Sequence, residues 1–137
     1  MFLHILKENE KEAFIDLARL AAGCNGSVSD EEDIMIEQYC DEMGIDIPMS
    51  HARTLDQVIS CFKDSAPQSK KTVVFEIIGL LFSDGDFDES EMKFIEKLAI
   101  SLGVSKDEVE EMLELTSRYL NILHDILCVI QEGPKTE

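Results

Sequence analysis

Cys24-Asn25-Gly26-Ser27-Val28-Ser29-Asp30-Glu31-Glu32 and, 59 positions downstream, Ser83-Asp84-Gly85-Asp86-Phe87-Asp88-Glu89-Ser90-Glu91 hold the same place in two helix–loop–helix units, residues 14–45 and 73–104. At this offset Gly26 meets Gly85, Glu32 meets Glu91, Ile36 meets Ile95, Glu37 meets Glu96 and Gly44 meets Gly103. The identities are few, but they fall where helix ends and a core face require them. The second loop gathers Asp84, Asp86, Asp88 and Glu91 within eight residues, whereas the first carries mostly uncharged polar groups. Any chemistry of this chain is expected in the second loop.

Outward from the loops the pattern is helical. Phe14, Leu17, Ala18 and Ala21 recur at helical spacing and stop at Gly23-Cys24-Asn25-Gly26. Ser29 with Glu32 forms a capping box, followed by an apolar face of Ile36, Tyr39, Cys40 and Met43 that Gly44 closes. Thr54 with Gln57 opens a short helix through Phe62, which Ala66-Pro67-Gln68-Ser69 breaks. Val73, Val74, Phe75, Ile77, Ile78, Leu80, Leu81 and Phe82 surround the next helix, interrupted only by Glu76 and Gly79. A helix without a polar face is enclosed by others, so this one is expected at the centre. Asp88 with Glu91 caps a helix facing inward through Ile95, Leu98, Ala99 and Leu102 and ending at Gly103.

Ser105 with Glu108 starts the longest helix, with an expected core stripe of Val109, Met112, Leu113, Thr116, Tyr119, Leu120, Leu123, Ile126, Leu127 and Ile130, stopped by Gly133-Pro134. Leu115, Ile122 and Val129 widen it and suggest a second contact surface. No segment alternates with period two. The expectation is an all-α, single-domain helical bundle over residues 1–137, of six or seven helices with two internally related helix–loop–helix units.

The 29 acidic against 12 basic residues give a formal net charge of −17. Such a surface repels nucleic-acid phosphate and anionic lipid, and suits divalent cations or a basic protein patch. Cys24, Cys40, Cys61 and Cys128 form no CxxC pair and read as reduced, buried packing residues, which favours the cytoplasm. No apolar run approaches the ~20 residues of a membrane span, and Met1–Leu6 is too short for a signal-peptide core.

An Ala/Phe-rich helix, the Asp84-Gly85 loop with Glu91 seven residues after the Asp, an amphipathic helix ending in Gly103-Val104, and an upstream unit ending in Gly44-Ile45 resemble the TerB-like family, named for tellurite-resistance protein B. The matching stretches are Ala13–Ile45 and Val74–Val104. The resemblance implies an all-helical bundle of two related units, a bacterial stress-response or accessory role without catalysis, and an acidic surface that takes metal. Asp84, Gly85 and Glu91 match the family's loop, whereas Asn25 stands where the family often has Asp.

Two readings of the second loop stay open. Asp84, Asp86, Asp88 and Glu91 are oxygen ligands suited to calcium or magnesium. Counted from Asp84, however, position six is Glu89 and position twelve Ile95, which is not an EF-hand. Alternatively, Gly85 turns the chain, Asp88 is an N-cap and Glu91 completes its box. Glu76 is either a buried, unpaired carboxylate of the kind that carries function or a bundle-edge group with its head in water. His4, His51 and His124 are isolated, and no zinc, serine-hydrolase, phosphate-loop or dinucleotide motif occurs. The expected function is a non-enzymatic cytoplasmic interaction module with protein partners, monomeric or weakly dimeric. Its alternatives are a divalent-metal-binding or metal-sensing domain at the second loop and, more remotely, a small hydrolase or transferase using Glu76 or Asp84 as general base.

Overall fold

The structure, a computed structural model, describes residues 1–24, 26, 28–48, 53–83 and 87–132. Among these residues the regular elements are a 3-10 turn, Leu3–Ile5, and six α-helices: α1 Glu8–Ala22, α2 Asp30–Met43, α3 Leu55–Ser60, α4 Pro67–Leu81, α5 Glu89–Leu102 and α6 Lys106–Glu132. The chain is an all-helical bundle.

The helices begin where their caps direct. Ser29 Oγ accepts the Glu32 N–H at 3.1 Å while Glu32 Oε1 accepts the Ser29 N–H at 2.9 Å. Thr54 and Gln57, Asp88 and Glu91, and Ser105 and Glu108 make the same reciprocal pair of bonds. Each box satisfies two amides that a helix start leaves without partners. Pro67 is the first residue of α4, where a missing N–H costs nothing, so the stretch read as a breaker also opens the central helix. Gly44 and Gly103 have φ of +68° and +74° and end α2 and α5. In both, the amide beyond the glycine reaches back five residues, Ile45 to Cys40 at 3.0 Å and Val104 to Ala99 at 2.9 Å. That is the Schellman arrangement, and it needs the left-handed conformation glycine adopts without strain.

Helix α4 packs against α1, α5 and α6 and touches α2. Val73, Val74, Ile77, Ile78, Leu80 and Leu81 are fully buried, as expected of a helix apolar all round. The two related units share a burial pattern. Phe14, Ile15, Leu17, Ala18, Ala21 and Ala22 of α1 are buried, and so are their counterparts 59 residues on, with Glu76 in the place of Leu17. Tyr39 closes the other side of the core, its ring edge-on to Phe14 at 5.3 Å. Asp16 is also buried, and Arg53 donates to its Oδ2 from Nε and Nη2 at 2.8 and 2.6 Å.

Two expectations change. The stripe of α6 is not a core stripe beyond its first turns: Val109 and Thr116 are buried, Met112 and Leu113 are half-buried, and Tyr119, Leu123, Ile126, Leu127 and Ile130 are exposed. At 1.5 Å per residue the 27 residues of α6 span about 40 Å against about 22 Å for the 15 of α4, so α6 outruns the bundle that would cover it. Of the four free cysteines only Cys40 is buried; Cys24, Cys61 and Cys128 are half-buried.

Candidate functional site

Of the four candidate ligands in the second loop, Asp88 and Glu91 lie among the described residues. Asp84 and Asp86, like Gly85 and Asn25, lie outside the described residues. Asp88 Oδ1 is committed to the Glu91 amide, and Glu91 Oε1 to the Asp88 amide. Both residues therefore serve as a helix cap, whatever else they do. Among the described residues no three His, Cys, Asp or Glu side chains form a metal cage.

What the structure adds is Glu32, the counterpart of Glu91 in the first unit. Glu10, Glu32 and Glu91 all occupy the third position of their helices, and all are buried. Each gives one oxygen to the amide at its helix start. The second oxygen of Glu10 accepts the Ser65 hydroxyl. Glu32 Oε2 is buried and accepts no hydrogen bond among the described residues. A buried carboxylate oxygen without a donor costs about 1–3 kcal/mol, more when charged. It is the atom in this region best suited to a cation.

The two loop ends are linked electrostatically through one side chain. The Cys24 thiol, at the end of α1, is pushed up to about 11, first by burial and then by the carboxylates of Glu91, Asp88 and Glu32. One sulfur thus feels acidic groups from both units. In the sequence Glu32 shows only as the second half of a capping box. Its equivalence to Glu91 at the 59-residue offset was the signal that could have paired them. The fit to a hard cation is partial: Glu32 and Glu91 are the carboxylates that would hold one, and a tight site requires further oxygens.

Glu76 fits neither sequence reading, being buried and paired. Its Oε1 accepts the Phe2 N–H at 2.9 Å and lies 3.2 Å from the Met1 ammonium, which also meets Glu42 at 2.6 Å. Glu42 Oε2 takes the Leu3 N–H at 2.8 Å, and the Tyr39 hydroxyl donates to the Glu76 carbonyl at 3.1 Å. Burial pushes the Tyr39 phenol up, with Glu76 and Glu42 adding to the effect. These carboxylates hold the N-terminal segment against α2 and α4.

The third feature is an apolar surface. Leu115, Tyr119, Ile122, Leu123, Ile126, Leu127, Val129 and Ile130 are between 38% and 72% exposed along α6. At the base of this face an open groove of about 650 Å³ lies between the N-terminal segment, α4 and α6, with Phe2, Phe75, Met112, Leu115 and Tyr119 in its walls. The rings of Phe2 and Phe75 meet there at 5.9 Å.

No family model matches this sequence, and no curated protein does. A solved structure does match: a tellurite resistance protein from Nostoc punctiforme, with a TM-score of 0.72 and 17% identity over 97% of this chain and 87% of that one. The chain has the TerB-like fold. At that identity the likeness concerns the fold, and it spans both helix–loop–helix units and the flanking helices. Within the TerB-like fold seen here, α4 is the enclosed central helix and the capping boxes of α2 and α5 carry the paired buried glutamates. Among the described residues no helix is long and apolar enough to cross a membrane.

Proposed function

We propose that this chain is a non-enzymatic interaction module of the TerB-like type and that its docking surface is the apolar face of α6. The observation that supports this reading is the row of eight large apolar side chains left open to solvent along that helix. Contiguous apolar patches beyond a few hundred Å² are uncommon on monomeric proteins and mark contact sites. The partner is a protein, since a −17 charge disfavours nucleic acid and anionic lipid. The setting we propose is a bacterial cytoplasmic stress or tellurite/metal response, suggested by the name of the Nostoc protein. The test is affinity capture from the native cell with wild type and Leu123→Glu/Ile126→Glu. Proteins retained by wild type and lost by the variant are expected, and an identical set from both rejects the reading.

A second reading, a divalent-cation site between the loops, is favoured by the orphaned oxygen of Glu32. It is tested by calorimetric titration with calcium, magnesium and manganese of wild type, Glu32→Gln and Asp84→Asn/Asp88→Asn. Heat lost in both variants supports the shared site. No heat in wild type, or heat unchanged in the variants, reduces these residues to helix caps.

A further inference from the structure

The exposed face of α6 carries more pattern than a general docking helix requires. Leu115, Tyr119, Ile122, Ile126 and Val129 follow one another at spacings of four, three, four and three residues, the seam of a coiled coil. Their exposures, 47, 49, 56, 49 and 51%, are nearly uniform. The bundle grips α6 by another side, through Val109 and Thr116; Thr116 lies about 100° around the helix from Leu115.

Resting on the reading of α6 as a docking surface, we propose that this seam pairs with the same seam of a second copy of the chain. The two helices run antiparallel about a two-fold axis between residues 120 and 121.

Charge selects this occupant and this direction. Residues 115–131 contain only Arg118 and Asp125 as ionised groups, a net charge of zero in a chain of −17. Five of the seven acidic residues of α6 crowd instead into its first part, at Asp107, Glu108, Glu110, Glu111 and Glu114. The outer half is therefore where two copies can meet without repulsion. Arg118 and Asp125 flank the seam one heptad apart on the same edge. In the antiparallel pair, Arg118 comes opposite the partner's Asp125, and symmetry makes that pair twice. In a parallel pair the same two positions would meet leucine and isoleucine side chains. The antiparallel direction also sends the two acidic bundles to opposite ends, whereas a parallel one sets them side by side.

The same register brings the partner's Ile126 to Leu115 and the partner's Val129 to Met112. Both Leu115 and Met112 line the apolar groove with Phe2 and Phe75, so helix face and groove become one continuous surface. The outermost flanking pair, Glu111 with the partner's Glu132, is like-charged. Together with the net charge it makes the dimer weak at low salt and tighter as salt screens it. The contact is smaller than the ~20–30 residues a side of a standard interface, the size class of weak, reversible association.

Sedimentation equilibrium of the full chain over a concentration series, at two salt concentrations, is the test, with circular dichroism confirming that each variant is helical. A reversible dimer strengthened by salt is expected. Ile122→Glu should abolish it, and Arg118→Asp should weaken it about tenfold. The charge swap Arg118→Asp/Asp125→Arg should restore it to within about threefold of wild type. A chain monomeric up to about 100 μM, or a dimer indifferent to Ile122→Glu, overturns the proposal. A dimer lost in Arg118→Asp and not recovered by the swap overturns the antiparallel register. If wild type is monomeric yet its α6 face still captures another protein, self-pairing fails and the docking reading stands. If Ile122→Glu changes neither, both fail.

Discussion

The Phe2 amide donates to Glu76 Oε1 at 2.9 Å, and that bond turns the single acidic residue of the central helix into the anchor of the N-terminal segment. Phe2 in turn walls the groove beside α6. A carboxylate in a buried helix position is tolerable because its charge faces the Met1 ammonium and its oxygens have donors.

Glu76→Leu is therefore expected to destabilise by about 1–3 kcal/mol, the cost of leaving buried donors unpaired. Glu76→Gln keeps an acceptor for Phe2 and should lose about 1 kcal/mol. Urea unfolding of the two variants checks the order; equal losses would mean that the charge, not the acceptor, matters. The Met1 amine is desolvated, yet Glu42 and Glu76 together hold it above its ordinary value of 8.0. A raised amine contributes stability that is full below pH 8.0 and fades as pH rises through its folded-state value. Wild type should accordingly lose stability above pH 8 more than Glu76→Gln does.

Gly103 and Gly79 stand in opposite situations, and replacing them has opposite consequences. Gly103, at φ +74°, is expected to cost about 1 kcal/mol when replaced by alanine, since a Cβ disfavours the left-handed turn. Gly79 lies inside α4, and an added Cβ meets nothing within 4 Å. Gly79→Ala should stabilise by about 0.5–1 kcal/mol through helix propensity. Thermal melts of the two variants should move in opposite directions, and parallel shifts would contradict the assigned conformations.

Much of the fold is legible in the sequence because its signals are local. A capping box such as Asp88 with Glu91 requires only four consecutive residues, and a helix apolar all round, as at Val73–Leu81, has nowhere to go but the centre. The misreadings concern what lies against a surface. The stripe Tyr119–Ile130 has the periodicity of a core face, but periodicity reports which residues share a side of a helix, not whether anything covers it. Glu76 is buried because a segment 74 residues away reaches it, and no spacing encodes that contact. Half of the candidate site was visible as Asp88 and Glu91. Its other half, Glu32, acts on the Cys24 thiol from that thiol's own unit, while Asp88 and Glu91 act on it from the other.

The Lys71–Glu108 bridge ties α4 to the start of α6 at 2.6 Å. Lys71 first, and then the Ser105 amide and hydroxyl, depress Glu108 from 4.5 to about 2. A depressed carboxylate contributes stability present above 4.5 and lost as pH falls through about 2. Lys71→Met should move the Glu108 titration, followed by carboxyl NMR, upward towards 4.5, with the loss of stability on acidification starting at correspondingly higher pH. An unmoved titration would assign the depression to the helix start alone.

Cys24 offers a direct probe of the paired loops. Its thiol titrates near 11 instead of 9.0, chiefly through burial and further through Glu91, Asp88 and Glu32. Only the thiolate reacts with alkylating agents, so at pH 8 iodoacetamide should modify Cys24 at least about tenfold more slowly than an exposed cysteine. Replacing Glu32 by glutamine removes one of the opposing charges and should raise that rate while burial keeps it below the exposed value. The direction is the informative part, because a merely shielded thiol would respond to loop opening and not to charge. A divalent cation held by Glu32 and Glu91 would act in the same sense, lowering the thiol pKa and speeding alkylation in wild type but not in Glu32→Gln. Mass spectrometry of peptides after timed alkylation, with and without calcium or magnesium, reads all of these rates. Equal rates for Cys24 in wild type and Glu32→Gln would remove Glu32 from the charges that act on the thiol, and with it the first unit's part in a shared site.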